Sequence, residues 1–398
     1  MLRTRHEKEG GRLSRRPGAL FLFVFLMLFP NGAGAQVWKW KFQTVDVSTR
    51  FTSIAVDGSG NVHVAYSGDK GSSLNYAFQP AGSTQWFTMQ LDKQLQEHAL
   101  ELALDLQGNP QICYTPRELK YAHFDGRQWS VQRIAEGEGS IEYNCTLVLA
   151  ADGKPHVLWY QTRSADGTNF YHLRYAVLLE GVWMARTVDY DREAGKWNAL
   201  TLDDQGNPYI FYSAFPPGDL KSGHWDGKKW DIDVKFSPAA PFSSGLGISV
   251  LRTPQKDINV SFYESPLDGS KSTANGSLKF ARLTAKGWAM ETVDSVVQGA
   301  SWVGYRSSLV LDKNGYPHVS YEDHGTLKHA YWDGKRWHVQ VVAPRVIEPY
   351  LYSSMAIDKE DLLHISYRDP ADGSLKVAIG WQELKVPSTA AVQQDKKD

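Results

Sequence analysis

Between residues 315 and 337 the chain reads GYPHVSYEDHGTLKHAYWDGKRW, which sets His318, His324 and His329 around Glu322 and Asp323. Imidazole and carboxylate at that density are the groups of a metal centre or of an acid/base pair, because both bind cations and both titrate in useful ranges. The same residues also suit one copy of a structural unit. A residue that recurs in every copy cannot be catalytic in all of them, so the rest of the chain decides.

The unit does recur. SLVLDKNGYPHVSYED (308–323) aligns with SIAVDGSGNVHVAYS (53–67), ELALDLQGNPQICYT (101–115), TLVLAADGKPHVLWY (146–160), ALTLDDQGNPYIFYS (199–213) and SMAIDKEDLLHISYRD (354–369), with a degenerate copy at GISVLRTPQKDINVSFYE (247–264). Each is followed by a second block: LNYAF, LKYAHFDGRQW, LRYAVLLEGVW, LKSGHWDGKKW, LKFARLTAKGW, LKHAYWDGKRW and LKVAIGW. Seven units at spacings of roughly 45 to 58 residues fall in the range of propeller blades.

Within a unit the residues spell four strands. S-L-V-L-D is a short apolar strand A, and D-x-x-G-x-P is a tight turn into strand B, H-V-S-Y. L-K-x-A is strand C, D-G makes the next hairpin turn, and Trp opens strand D. No stretch carries a period of 3.6, so the fold class is all-β: a seven-bladed β-propeller of four-stranded antiparallel blades. WKFQTVD at 40–46 parallels WAMETVD at 288–294, while the last unit lacks its D-G turn. The N-terminal strand is therefore expected to complete the seventh blade and remove an open sheet edge; the rival is a C-terminal strand made from WQELKV.

Through D-x-x-G-x-P-H-V-x-Y and L-K-x-A-x-x-D-G-K-x-W over residues 38–386, the sequence resembles the BNR-type repeat proteins of the sialidase-like seven-bladed β-propeller superfamily. The resemblance implies the fold. D-G-K-R-W at 333–337 keeps only part of the sialidase Asp-box, and that family's arginine triad and tyrosine nucleophile are not carried over. Propellers host hydrolases, lyases, lectins and scaffolds, so function has to come from the site.

Residues 1–35 combine six basic residues with the apolar run ALFLFVFLMLF and Ala33-Gly34-Ala35, the pattern of a cleaved signal peptide, and the run is shorter than the roughly 20 residues of a spanning helix. The expected organisation is a signal peptide at 1–35, a propeller at 36–386 and a polar tail at 387–398, in a secreted or periplasmic protein with no membrane association after cleavage. Of 43 Lys and Arg and 44 Asp and Glu, the leader holds six and two, which leaves 37 against 42 and a net charge of −5. That charge argues against nucleic acid as a partner. Cys113 and Cys145 are compatible with a disulfide or with two buried thiols. No C-x-x-C or H-E-x-x-H motif is present, and no metal or cofactor is expected.

His318 has counterparts at His63, His156 and His364, at Gln111 and Tyr209, and at Asn259 in the degenerate unit, so it reads as a blade residue. His329 stands where other units place Tyr121, Tyr175 or Phe280. Glu322, Asp323 and His324 fill a B-to-C loop whose sequence differs in every unit. The D-to-A and B-to-C loops share one face and are long and dissimilar, which is where a rigid scaffold carries function. Just before the seven A strands stand Arg50, His98, Tyr143, Asn144, Lys196, Trp197, Ser243, Ser244, Tyr305, Arg306 and Tyr352; the B-to-C loops add Arg117, Arg163 and Arg368. Guanidinium binds carboxylate in a bidentate fork and aromatic rings stack on sugar faces. The expected partner is a glycan or other anionic small ligand, a uronate or sugar acid, bound at the channel mouth of a monomer through Arg50, Lys196, Trp197, Tyr305, Arg306, Tyr352 and Arg368. The alternatives are a polysaccharide lyase, with His98 and Tyr143 as base and acid and Arg50 as carboxylate clamp, and a protein-interaction scaffold. As an enzyme the chain reads as a lyase rather than a sialidase or other glycoside hydrolase, since few carboxylates stand at the innermost positions.

Overall fold

A computed structural model describes residues 14–15 and 38–383, except 69–71, 94, 96–99, 116–117, 135–139, 166–167, 191–192, 216–217, 240–241, 267–275, 296–302, 324 and 345–351. The expected signal peptide, apart from a two-residue strand Ser14–Arg15 beside the first blade, and the polar tail lie outside the described residues.

The sheet topology is that of a propeller: seven four-stranded antiparallel blades in a ring. In A-to-D order, blade one is Thr52–Val56, Val62–Gly68, Ser73–Gln79 and Phe87–Asp92, and blade two is Leu100–Leu104, Pro110–Tyr114, Lys120–Phe124 and Trp129–Arg133. Blade three is Ser140–Leu149, Pro155–Ala165, Thr168–Leu179 and Val182–Asp189, and blade four is Glu193–Leu202, Pro208–Phe215, Asp219–Trp225 and Trp230–Phe236. Blade five is Phe242–Arg252, Ile258–Pro266, Ser277–Thr284 and Gly287–Ser295, and blade six is Val303–Leu311, Pro317–Asp323, Thr326–Trp332 and Trp337–Ala343. Blade seven takes Ser353–Ile357, Leu363–Arg368 and Leu375–Gln382, and its fourth strand is Trp38–Asp46 from the other end of the chain.

The repeated polar residues make the turns. In the A-to-B turn of blade one the Asp57 carboxylate accepts the N–H groups of Ser59 and Asn61, both at 2.9 Å, and Gly60 takes φ +86° where a side chain would be strained. Asp105, Asp203, Asp312 and Asp358 repeat that arrangement. At the C-to-D turn, Asp125 is held below the ordinary carboxylate range by the backbone N–H groups of Gln128 and Arg127 that it accepts.

B strands are buried on both faces, and D strands are largely exposed. The core therefore lies between blades: Ile54, Val64 and Tyr66 of blade one, for example, cluster with Leu375 and Val377 of blade seven. A strands of neighbouring blades touch one another all round the axis. Their hydroxyls stitch the ring, with Ser53 accepting the N–H of Leu102 (3.1 Å), Ser249 that of Leu309 (3.2 Å), Ser308 that of Met355 (3.0 Å) and Ser354 that of Ile54 (3.3 Å).

A second set of contacts fastens blade to blade further out. An Asp at the end of one strand D accepts from the next blade: Tyr66 donates to Asp46 (2.6 Å), Tyr114 and Lys120 to Asp92 (2.8 and 2.9 Å), Tyr212 and Lys221 to Asp189 (2.7 and 3.4 Å), and Tyr321 and Lys328 to Asp294, one residue before the strand ends (2.6 and 3.0 Å). Burial, helped by the neighbouring Asp, keeps the phenols of Tyr114 and Tyr321 protonated, so they act as donors. The sequence motif behind this latch is the T-V-D or Q-L-D that closes those D strands. At the other three junctions the Asp position is held by Ile134, Phe236 and Ala343, as their partners Leu119, Leu220 and Leu327 show.

The closure expected from the stray strand is the observed one: Trp38 to Asp46 run antiparallel to Leu375–Gln382, in register from Trp38↔Gln382 to Asp46↔Leu375. The rival C-terminal strand is excluded, because Trp381 and Gln382 end strand C. Trp38 is 5% exposed and meets the His318 and His329 rings edge-on at 5.1 and 5.4 Å, so the closing strand also seats on blade six. Deleting residues 36–47 is expected to cost far more stability than deleting the tail after Val386, and Trp38→Ala alone should cost about 3 kcal/mol or more. Denaturant unfolding of the three variants checks this, and a more damaging tail deletion would show the closure to be wrong.

Candidate functional site

The His-rich stretch of blade six resolves into framework. His318 and His329 are 2% and 0% exposed, stacked at 5.2 Å with their planes 8° apart, and share a 2.9 Å hydrogen bond between Nδ1 and Nε2. Burial, and then the charge of His318, hold His329 well below the ordinary imidazole range, so it is neutral. The same cross-strand slot holds His63 with Tyr76 (2.7 Å), His156 with Tyr175 (2.6 Å) and Gln111 with Tyr121. In blades one, two, three and six the slot holds a buried polar pair, His–Tyr twice, Gln–Tyr and His–His, and each pair is hydrogen-bonded within itself as burial requires. Glu322 is buried and accepts the N–H of Gly325 at 3.2 Å; Asp323 pairs with Lys328 at 2.5 Å. His324 lies outside the described residues. Among the described residues no three His, Cys, Asp or Glu side chains gather as a metal site requires.

At the mouth, the loops of blades seven and one meet. Phe51, 6% exposed, packs against Tyr352 with ring centroids 4.2 Å apart, joining the starts of the first and last A strands. Beside it, Arg50 is exposed, and the N–H groups of Arg50 and Phe51 both donate to Ser67 Oγ at 2.9 Å. Thr49 donates its N–H to the carbonyl of Gly373 at 3.0 Å, and a Cβ placed on Gly373 would lie 3.4 Å from the Arg368 guanidinium. The segments that carry Arg50 and Arg368 are thus tied together, with the Phe51–Tyr352 pair alongside. Blade six, which carries Arg306, adjoins blade seven on its other side.

Lys196 is half-buried at the start of strand A in blade four. Trp197, next to it, is 7% exposed, which leaves little ring for a ligand to stack on. Ser243 and Ser244 are buried and donate to the carbonyls of Ser265 and Gly218. His98 and Arg117 lie outside the described residues. Tyr143, Asn144, Arg163, Tyr305 and Arg306 sit in strands whose side chains at those positions are likewise outside them.

The channel wall holds one group that the spacing alone did not assign. Glu101 occupies the place that Ser53, Ser249, Ser308 and Ser354 hold in the hydroxyl belt, four residues before the turn Asp, and takes the N–H of Leu147 from the next blade. Burial raises its carboxyl to about 8 against an ordinary value of 4.5, and the Leu147 hydrogen bond offsets only part of that. Beside it on strand B, Cys113 and the facing Cys145 of blade three are free thiols, buried at 0% and 1% exposure; burial first, and Cys145 second, push the Cys113 thiol up.

No protein-family model matches the chain, and no curated protein matches it. Solved structures do. A protein of unknown function from Dyadobacter fermentans DSM 18053 is 13% identical, with a TM-score of 0.53 over 85% of this chain and 96% of the other. An ulvan lyase of polysaccharide lyase family PL25, bound to -[GlcA(1-4)Rha3S]-, is 11% identical, with a TM-score of 0.55 over 84% and 94%. The Aleuria aurantia lectin in complex with Fucα1-6GlcNAc is 16% identical, with a TM-score of 0.50 over 76% and 99%. At these identities the likeness is one of fold.

Two outcomes follow. Because Glu101 binds its proton more tightly folded than unfolded, its contribution to stability is present below about pH 4.5 and falls away as the pH rises towards about 8. Glu101→Gln should flatten that slope and raise the melting temperature most at pH 8; an unchanged pH profile would show the carboxyl to be ionised in the fold. His318→Ala should lower the melting temperature and leave ligand affinity unchanged, since the ring packs under Trp38; a variant that melts normally but loses function would return His318 to the candidate site.

Proposed function

We propose that the chain is an exported propeller of the sialidase-like superfamily that binds an acidic carbohydrate, a uronate or other sugar acid, at the channel mouth. The observation that carries this reading is the joined pair of arginine-bearing segments at the blade seven to one junction, with an aromatic pair beside them. Arg50 and Arg368 would meet the carboxylate, and Arg306 would extend the cationic arc from blade six. The lectin and lyase named above share the fold and carry saccharides, which supports a carbohydrate rather than a protein partner. Tyr305 and Tyr352 would supply ring surface.

The lyase whose structure holds a GlcA-containing repeat favours one alternative, β-elimination from a uronate glycan. In that case a guanidinium at Arg50 would neutralise the carboxylate and so acidify the adjacent C–H. His98 and Tyr143 are the groups for base and acid, and elimination leaves an unsaturated uronate on the product.

The test is binding of glucuronate-containing oligosaccharides together with ultraviolet absorbance of the incubated mixture. Arg50→Ala and Arg368→Ala should each weaken binding by about 1.5 to 3 kcal/mol without loss of fold. Retained affinity in both variants would overturn the mouth as the site. New absorbance that disappears in His98→Ala would make the lyase the correct reading.

A further inference from the structure

The junction between blades two and three departs from the latch in all three of its residues. Where three other junctions place Asp, Tyr and Lys, this one places Ile134 at the end of strand D, Trp159 on strand B and Arg174 on strand C; Trp159↔Arg174 occupies the register of Tyr114↔Lys120 and Tyr321↔Lys328. The other two departures are repaired within the fold. At blade five, Phe236 meets Phe262 ring to ring at 6.2 Å and Lys279 turns to Glu264 (3.1 Å) and Thr292 (2.9 Å). At blade seven, Lys376 turns to Asp369.

Arg174 has no such repair. Its guanidinium lies over the Trp159 ring at 5.7 Å, and its Nε is buried with no hydrogen-bond partner. No carboxylate among the described residues pairs with it. Burial lowers its proton affinity, with no opposing charge to restore it. Trp159 Nε1 is unpartnered as well, but several indoles of the ring share that condition, so the weight rests on Arg174. A half-buried cation without a counter-charge is costly to keep in a fold unless something outside the chain completes it.

There is room for that partner. Arg174 and Ile134 line an open groove of about 590 Å³ between the outer strands of the two blades, together with Gln132, Arg133, Val182 and Trp183. Arg133 is engaged by Glu118 at 2.6 Å, so it closes one wall and leaves Arg174 as the cation of the groove. Trp183, held edge-on against Tyr121 at 5.2 Å, gives the groove an aromatic wall.

We propose that this groove is a second binding site, separate from the mouth, for an oxyanion carried on a ring: a carboxylate or sulfate ester of a saccharide, taken by Arg174 from the open side of the groove, beside the Ile134 that stands at the latch-aspartate position. The ligand acts as a removable latch, so occupancy stiffens a junction whose latch-position cation has no carboxylate partner in its own blade or the next among the described residues.

The experiment uses the full chain carrying Arg50→Ala and Arg368→Ala, so that the mouth does not contribute, with glucuronate and, separately, glucose 6-sulfate, read by titration calorimetry and melting temperature, with uncharged glucose as control. Saturable binding of at least one acidic probe and a rise in melting temperature are expected; the probe preferred shows whether carboxylate or sulfate is the natural head. In that background Arg174→Gln should weaken binding about tenfold or more, the usual worth of a charge-assisted hydrogen bond. Ile134→Asp should abolish the same binding and raise the melting temperature without ligand, because it restores the latch. The proposal is overturned if neither probe binds, if binding survives Arg174→Gln or if it survives Ile134→Asp.

Discussion

Everything in this ring depends on the nine residues of Trp38–Asp46. They form the outer strand of blade seven, seat Trp38 and Trp40 on the histidine pair of blade six, and deliver Asp46 to Tyr66 of blade one. One short strand therefore fastens three blades. A ring whose core lies between its blades gains the last interface only when its ends meet, so the entropy of ordering more than 300 residues between them is offset by contacts made at closure. It also covers the outer edge of strand C in blade seven, which would otherwise be open for another chain to join.

Much of this frame is legible in the sequence, for a definite reason. A structural unit repeated seven times prints its turn residues several times over, so D-x-x-G in four units and D-G in three locate the hairpins, and WKFQTVD reveals the strand displaced to the other end. The same logic assigns His318 to the blade, where it is found buried against His329. What stays hidden is contact between units. The latch joins Asp92 to Tyr114 and Lys120, residues 22 and 28 positions apart, and a T-V-D at the end of a strand reads as an ordinary turn acid until the ring is closed. Glu101 is hidden in the same way, because the Leu147 N–H that it accepts belongs to another blade.

The mouth is less legible for the opposite reason. Its loops differ from unit to unit, so nothing in one predicts another, and only proximity to strand A marks a residue as a candidate. Trp197 shows the weakness of that criterion: it directly precedes the apolar part of strand A, yet its ring is buried and serves the wall. Arg50, Arg368 and Tyr352 fare better because the closing junction brings their segments together. Charge alone would not have chosen this corner over the others.

Repetition inside one chain also supplies a test of purpose. A position that holds the same residue in most blades reports the frame, and a departure compensated nearby is drift that the frame tolerates. Lys279 and Lys376 are departures of that kind, since each finds a carboxylate in its own blade once the latch Asp is gone. Arg174 is a departure of another kind. The larger, permanently charged guanidinium replaces the lysine just where the carboxylate is replaced by Ile134, and a neutral side chain at that position would avoid the desolvation altogether. Apart from the Trp159 ring beneath it, the frame offers that cation no partner among the described residues, and this is what sets the groove apart from the repaired junctions.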